Sequence, residues 1–287
     1  MNLYNVINEI EKIDPEVYDR LDGRRIIVKS IVRKGGLMAL SAVPLALGSL
    51  FSKAYGQSSS SQILDVLNFA LTLEYLEAEF YNNGLAASGL IPDKYRPSFQ
   101  VISDHENEHV VFLKSTVSAL GGTPVSKPNF DFSAGKGTGT GPFAGVFKNF
   151  DLFLAVSQTF EDTGVRAYKG QAGNLISSNE VLRAALRIHS VEARHAAHVR
   201  VIRGMNPSAL VVSDLEGMPD PWIPKKQSNI ASAAVQPSYD GEEITTQAGI
   251  KVEGINGFAI SDFDASEAFD EPLTKQQVLT IVGPFIA

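Results

Sequence analysis

Glu192-Ala193-Arg194-His195 and, earlier in the chain, Glu106-Asn107-Glu108-His109 are the two stretches on which the fold turns. Each is a Glu-x-x-His inside a segment whose apolar residues recur at helical spacing. On a helix, positions i and i+3 share a face, so each stretch aims a carboxylate and an imidazole at one point. One such pair is a common coincidence. Here the surroundings repeat as well. Glu161 follows Glu74 by 87 residues, while Glu192 and His195 follow Glu106 and His109 by 86. Tyr81 lies seven positions after Glu74, as Tyr168 does after Glu161. Two helical turns return to the same face, so each tyrosine is expected near enough to hydrogen-bond the site.

The apolar spacing predicts four helices around these residues. The first covers about 61–83, with Leu67, Ala70, Leu71, Ala78 and Tyr81 in its stripe. The second covers about 96–120, with Phe99, Ile102, Val110, Leu113 and Leu120. Gly84, Pro92 and Pro97 separate these two, and Gly121-Gly122 and Pro124 end the second. The third covers about 144–173, with Leu154, Val165 and Tyr168, and the fourth runs from a Ser177/Glu180 capping box to about Gly204. Residues 121–145 form a long Gly/Pro/Ser/Thr-rich connection whose aromatic patch is Asn129-Phe130-Asp131-Phe132. Short, long and short connections suit an all-α four-helix bundle with one long crossover.

Folding two such helix pairs about a two-fold axis would bring four carboxylates and two imidazoles together. That is the ligand arithmetic of a dinuclear metal centre in a helical bundle. The expected metal ligands are Glu74, Glu106, His109, Glu161, Glu192 and His195, with Tyr81 and Tyr168 as candidate catalytic residues. The bland alternative pairs the glutamates with helix arginines such as Arg166 and Arg194. The repeat also separates ligands from bystanders. His105, Glu108, His198 and Glu77 have Val191, Arg194, Phe112 and Gly164 as counterparts. None recurs, so these four are expected at the surface or behind the ligands.

Composition narrows the chemistry. The chain has no cysteine, which removes disulfides, thiolate metal sites and cysteine nucleophiles together. A net charge of −7 without a basic aromatic patch argues against nucleic acid as a partner. Glu and His are hard to intermediate ligands suited to Fe and Mn, and four carboxylates offset two divalent ions. The expected cofactors are therefore two metal ions, Fe or Mn. Gly135-x-Gly137-x-Gly139-x-Gly141 lies in the long connection with no preceding strand, so it is no phosphate loop. No serine near His189 or His198 sits in a nucleophile motif.

The first 57 residues read as an export signal. Arg24-Arg25-Ile26-Ile27-Val28-Lys29 is followed by an uncharged, small-residue-rich stretch over 35–51 and then Ala54-Tyr55-Gly56-Gln57. It resembles the twin-arginine signal, with Ile27 and Val28 in place of the usual Phe and Leu. Stretch 35–51 is shorter than the roughly 20 residues a spanning helix needs, and Pro44 interrupts it. The expectation is a periplasmic or extracellular protein, delivered by the twin-arginine export machinery, with no stable membrane span after processing.

The order Glu74, Glu106-x-x-His109, Glu161, Glu192-x-x-His195 resembles the pattern of the ferritin-like superfamily, over about 61–204. More narrowly, Leu73-Glu74-Tyr75-Leu76-Glu77-Ala78-Glu79-Phe80-Tyr81 and Glu271-Pro272-Leu273-Thr274 are similar to exported ferritin-like and desiccation-related proteins. The resemblance implies a ferritin-like bundle over 58–204. It also implies redox chemistry on peroxide, dioxygen or Fe(II) in oxidative-stress defence. A non-enzymatic stress-protection protein and an iron store are the other roles it implies.

The remaining extension, 205–287, reads as largely irregular and is expected to wrap the bundle or make a subunit contact, such as a homodimer's. Its predicted features are an alternating strand over 250–255, a Trp222 packed on the bundle and a solvated acidic loop around Asp262 and Asp264. A final helix over 276–282 is predicted behind a Thr274/Gln277 capping box.

Overall fold

A computed structural model of the chain describes residues 57–205 and 221–287. The expected export signal, apart from Gln57, lies outside the described residues. Among the described residues no helix is long and apolar enough to cross a membrane.

Four long helices form the bundle: α1, Gln57–Ala86; α2, Arg96–Ala119; α3, Phe150–Ala172; and α4, Asn179–Gly204. α1 pairs along its length with α2, and α3 with α4. The predicted first helix is extended at both ends, because the polar stretch 57–61 is its first turn and Gly84 does not break it. Gly84 is kept for proximity: a Cβ there would lie 2.3 Å from the Phe153 ring of α3. α2 opens with Pro97 in its first turn, where a missing N–H costs nothing.

α3 begins six residues later than the apolar spacing predicts. Asn149 caps it by accepting from the Leu152 amide at 3.0 Å. Upstream, Gly145 has φ +86 and ends any helical path. Phe143 and Val146 are buried as loop residues packed against the core. The cap of α4 is Ser178, which accepts from the Val181 amide at 3.2 Å, rather than Ser177.

The crossover over 120–149 is ordered by two devices. Phe132 plunges beneath it to meet Phe80 at a ring distance of 5.6 Å. The Asp131 carboxylate accepts from the backbone amides of Ser133, Gly137 and Gly139 at 2.9–3.0 Å. Those bonds, with the Ser133 hydroxyl foremost, hold its pKa down at about 2. The glycine run therefore cradles the chain's own anion.

The C-terminal extension is more ordered than its sequence suggests. Helix α5, Asp262–Glu267, carries a Ser261/Asp264 capping box where a solvated loop is predicted. Helix α6, Lys275–Val282, starts at the predicted Thr274/Gln277 box. The predicted strand is only half of a two-residue hairpin, β1 (Thr246–Gln247) with β2 (Ile250–Lys251). Trp222 is 48% exposed rather than packed away.

The extension lies on α3 and α4. Buried Arg166 of α3 pairs with Glu242, Nε to Oε1 at 2.7 Å, and donates to the carbonyls of Glu271 (2.7 Å) and Asp240 (2.9 Å). Arg203 of α4 donates to the Asn229 carbonyl at 2.6 Å. The Tyr239 hydroxyl donates to Asp162 at 2.8 Å, and Arg200 pairs with the same carboxylate. Phe285 then seats its ring 4.8 Å from Phe160.

Candidate metal centre

The middle of the bundle is charged. Glu74, Glu106, Glu161 and Glu192 are fully buried, and His109 and His195 nearly so. They fall into two overlapping groups whose nearest ligand atoms lie within 4.8 Å of one another. Glu74, Glu106, His109 and Glu192 form one group; Glu106, Glu161, Glu192 and His195 form the other. Glu106 and Glu192 belong to both. The duplication seen in the sequence is thus a duplication in space, with one carboxylate from α2 and one from α4 shared between the halves.

Both imidazoles turn Nδ1 inward. His109 Nδ1 is 3.1 Å from Glu74 Oε2, 3.2 Å from Glu106 Oε2 and 3.2 Å from Glu192 Oε1. His195 Nδ1 is 2.9 Å from Glu106 Oε1 and 3.3 Å from Glu161 Oε2. Yet His195 Nδ1, Glu106 Oε1, Glu161 Oε2 and both Glu192 oxygens have no hydrogen-bond partner. Glu106 Oε1, Glu161 Oε2 and Glu192 Oε1 lie within ion-pair distance of an imidazole nitrogen without meeting hydrogen-bond geometry. Lone pairs that converge without pairing are the arrangement a cation needs. The cluster therefore fits metal binding.

The tyrosines do reach the carboxylates, but crosswise. Tyr81 of α1 donates to Glu161 of α3, and Tyr168 of α3 donates to Glu74 of α1. Both therefore hydrogen-bond the site, and helix direction decides which carboxylate each one meets. α1 and α3 cross antiparallel, so seven steps forward on one are met by seven steps back on the other. Each tyrosine arrives opposite the other helix's carboxylate.

Burial dominates the electrostatics. It raises Glu74 to about 7 against the pull of His109, and raises Glu161 well above its usual range against His195. It pushes His195 down, but Glu161 and Glu106 prevail and lift the imidazole to about 11. Burial, then the neighbouring Glu161 and Glu74 charges, carry the Tyr81 and Tyr168 phenols well above 10, so both remain protonated donors.

Of the four expected bystanders, Glu108 and His198 are exposed. His105 stands behind a ligand: its Nδ1 is 3.0 Å from His195 Nε2, and the two rings stack at 5.2 Å. Glu77 takes the second of the two expected places, behind the ligands rather than at the surface. It is 3% exposed and lies in the same buried core, its carboxyl raised by burial and then by the charges of Glu192, Glu106, Glu161 and Glu74. Its place follows from its position one turn after Glu74, although Gly164 breaks the repeat there. Neither arginine of the bland alternative serves the cluster, since Arg166 pairs with Glu242 and Arg194 is exposed.

Residues 62–205 match the family described as Ferritin-like domain, which is half of the chain. No curated protein matches the chain.

Proposed function

The chain belongs to the ferritin-like domain family, and from that premise we propose that it is an exported di-metal carboxylate oxidoreductase holding two Fe or Mn ions and acting on peroxide, dioxygen or Fe(II). The observation that carries the reading is the set of converging, unpartnered oxygen and nitrogen atoms on Glu106, Glu161, Glu192 and His195. Bound there, Fe or Mn would supply the electrons and the Lewis acidity that reduction of a small oxidant requires.

The chain's own residues have distinct tasks in this reading. Glu106 and Glu192, common to both groups, tie the halves together, while Glu74 with His109 and Glu161 with His195 each serve one. Tyr81 and Tyr168 fix the terminal carboxylates by donating to Glu161 and Glu74. His105 holds the Nε2 side of His195 and so sets which face of the ring looks inward. The surrounding apolar core excludes bulk water, which strengthens each of these contacts.

Export through the twin-arginine route to the periplasm or exterior is part of the proposal, and rests on the Arg24-Arg25 stretch. That route carries folded cargo, which suits a site whose ligands come from four separate helices.

Metal analysis of the full chain purified from its native compartment tests the reading, with about two Fe or Mn per chain expected. Glu192→Ala removes a ligand shared by both groups and should abolish uptake. Glu108→Ala, on the exposed face of α2, should bind like the parent. A folded parent protein that takes up neither metal from solution and is inert to Fe(II) and peroxide overturns the proposal.

A further inference from the structure

Glu77 is a buried carboxyl for which the duplicated ligand set has no use. It is 3% exposed. Its position follows from the antiparallel crossing that pairs Glu74 with Tyr168 and Tyr81 with Glu161. In that register Glu77 of α1 falls against Gly164 of α3. A Cβ built on Gly164 would lie 3.2 Å from Glu77 Oε1 and 3.2 Å from Glu192 Oε2. The missing side chain at 164 is thus the space into which the Glu77 carboxyl fits, beside one of the shared carboxylates.

The two halves are therefore unequal. Along α1, Glu77 stands one turn on from Glu74 in the direction of Tyr81, which bonds Glu161. It consequently lies on the side of the group containing Glu161 and His195. The equivalent place in the other half is Gly164, with nothing to offer.

Glu77 lies outside the two groups of converging ligand atoms, and we propose that its carboxylate turns inward as a seventh protein ligand when metal binds, serving only the position formed by Glu106, Glu161, Glu192 and His195. The inference rests on the metal-centre reading above. Four carboxylates neutralise two divalent ions; a fifth leaves one negative charge in a low-dielectric core, which one trivalent ion would cancel. The position beside Glu77 accordingly binds its ion more tightly and favours the higher oxidation state, and the position beside Gly164 is the weaker.

Chelator-stripped full-length protein titrated with Mn(II), followed by calorimetry and by electron paramagnetic resonance of the free ion, tests this. The parent should bind two ions in resolved steps. Glu77→Gln keeps the volume and removes the charge, so the tighter step should weaken by about tenfold or more and merge with the second. Gly164→Ala crowds Glu77 and Glu192 from the opposite helix and should also lower the tighter affinity, which covers the case of a Gln variant that does not fold. Parent-like titration of a folded Glu77→Gln protein, or equal weakening of both steps, overturns the inference and leaves the metal centre standing. A parent that binds no Mn(II) overturns the metal centre itself, and the inference with it.

Discussion

Tyr81 and Tyr168 show what burial does to a single side chain here. A phenol beside a buried carboxylate keeps its proton more firmly than one in water, so it serves as a fixed donor. The same burial makes the metal-free core sensitive to pH. Glu74 is raised from 4.5 to about 7, Glu242 from 4.5 to about 8 and His195 from 6.5 to about 11. Each holds a proton in the folded chain that unfolding releases. Their contribution to stability is complete below the unfolded values and is lost as pH rises through the folded ones. His105 and His198 shift downward and work in the opposite sense, but both are already neutral above their ordinary value of 6.5. The melting temperature of chelator-treated protein should therefore fall between about pH 7 and 9, while added Mn(II), which competes with those protons, should stabilise more as pH rises. Scanning fluorimetry with and without Mn(II) measures both, and a flat or rising metal-free curve would count against the buried site. The six paired residues were legible because i, i+3 spacing maps directly onto one helix face. Glu77 was not, since comparing the halves discards whatever lacks a counterpart, and asymmetry is what this residue supplies. The crosswise tyrosines depend on helix direction, which spacing within one helix does not carry.

At the scale of elements, α3 does more than the others, because it faces α1 on one side and the C-terminal extension on another. Its glycines are where partners come close. A Cβ at Gly170 would sit 1.9 Å from the Leu273 carbonyl oxygen, and the Leu273 amide donates to the Arg166 carbonyl at 3.1 Å. The extension therefore runs against the bare backbone of α3 at this point. Gly170→Ala sets two effects against each other. Alanine gains about 1 kcal/mol of helix propensity, but the obstructing atom is backbone and cannot swing aside, so overpacking of about 1–3 kcal/mol or more should prevail. Urea denaturation should show a net loss, and a stabilised variant would mean that the extension does not lie there. The α6 start was legible because Thr274 and Gln277 form a local motif that needs no partner. The α3 start was not: Phe143 and Val146 have helical spacing but are buried as a loop, and only the Gly145 turn and the Asn149 cap decide between the two.

For the molecule as a whole, the extension decides how the second helix pair meets solvent. Arg166, Arg200 and Arg203 are buried on the α3–α4 face, where a bundle alone would show apolar residues or water. They are satisfied by Asp162 and Glu242 and by carbonyls of the extension, so the two parts depend on each other. Arg166 is the centre of this seam. It pairs with Glu242, itself 1% exposed, while the Glu271 amide donates to the other Glu242 oxygen at 3.0 Å. Arg166→Met keeps most of the volume but leaves a buried carboxylate and several carbonyls without their donor. Breaking a buried pair from one side costs about 3–5 kcal/mol. Burial already lifts Glu242 to about 8 with Arg166 opposing it, so without Arg166 the carboxyl keeps its proton to still higher pH, which limits the loss. Removing both charges, in Arg166→Met with Glu242→Leu, should then be less damaging than Arg166→Met alone, because no unpaired charge remains. Urea midpoints of the parent, single and double variants measure this, and limited proteolysis of the single variant should cut first within 221–287. A single variant with the parent's midpoint and cleavage pattern would show that the extension is held by its apolar contacts, Phe285 on Phe160 foremost, and that the buried arginines only fill space beneath it.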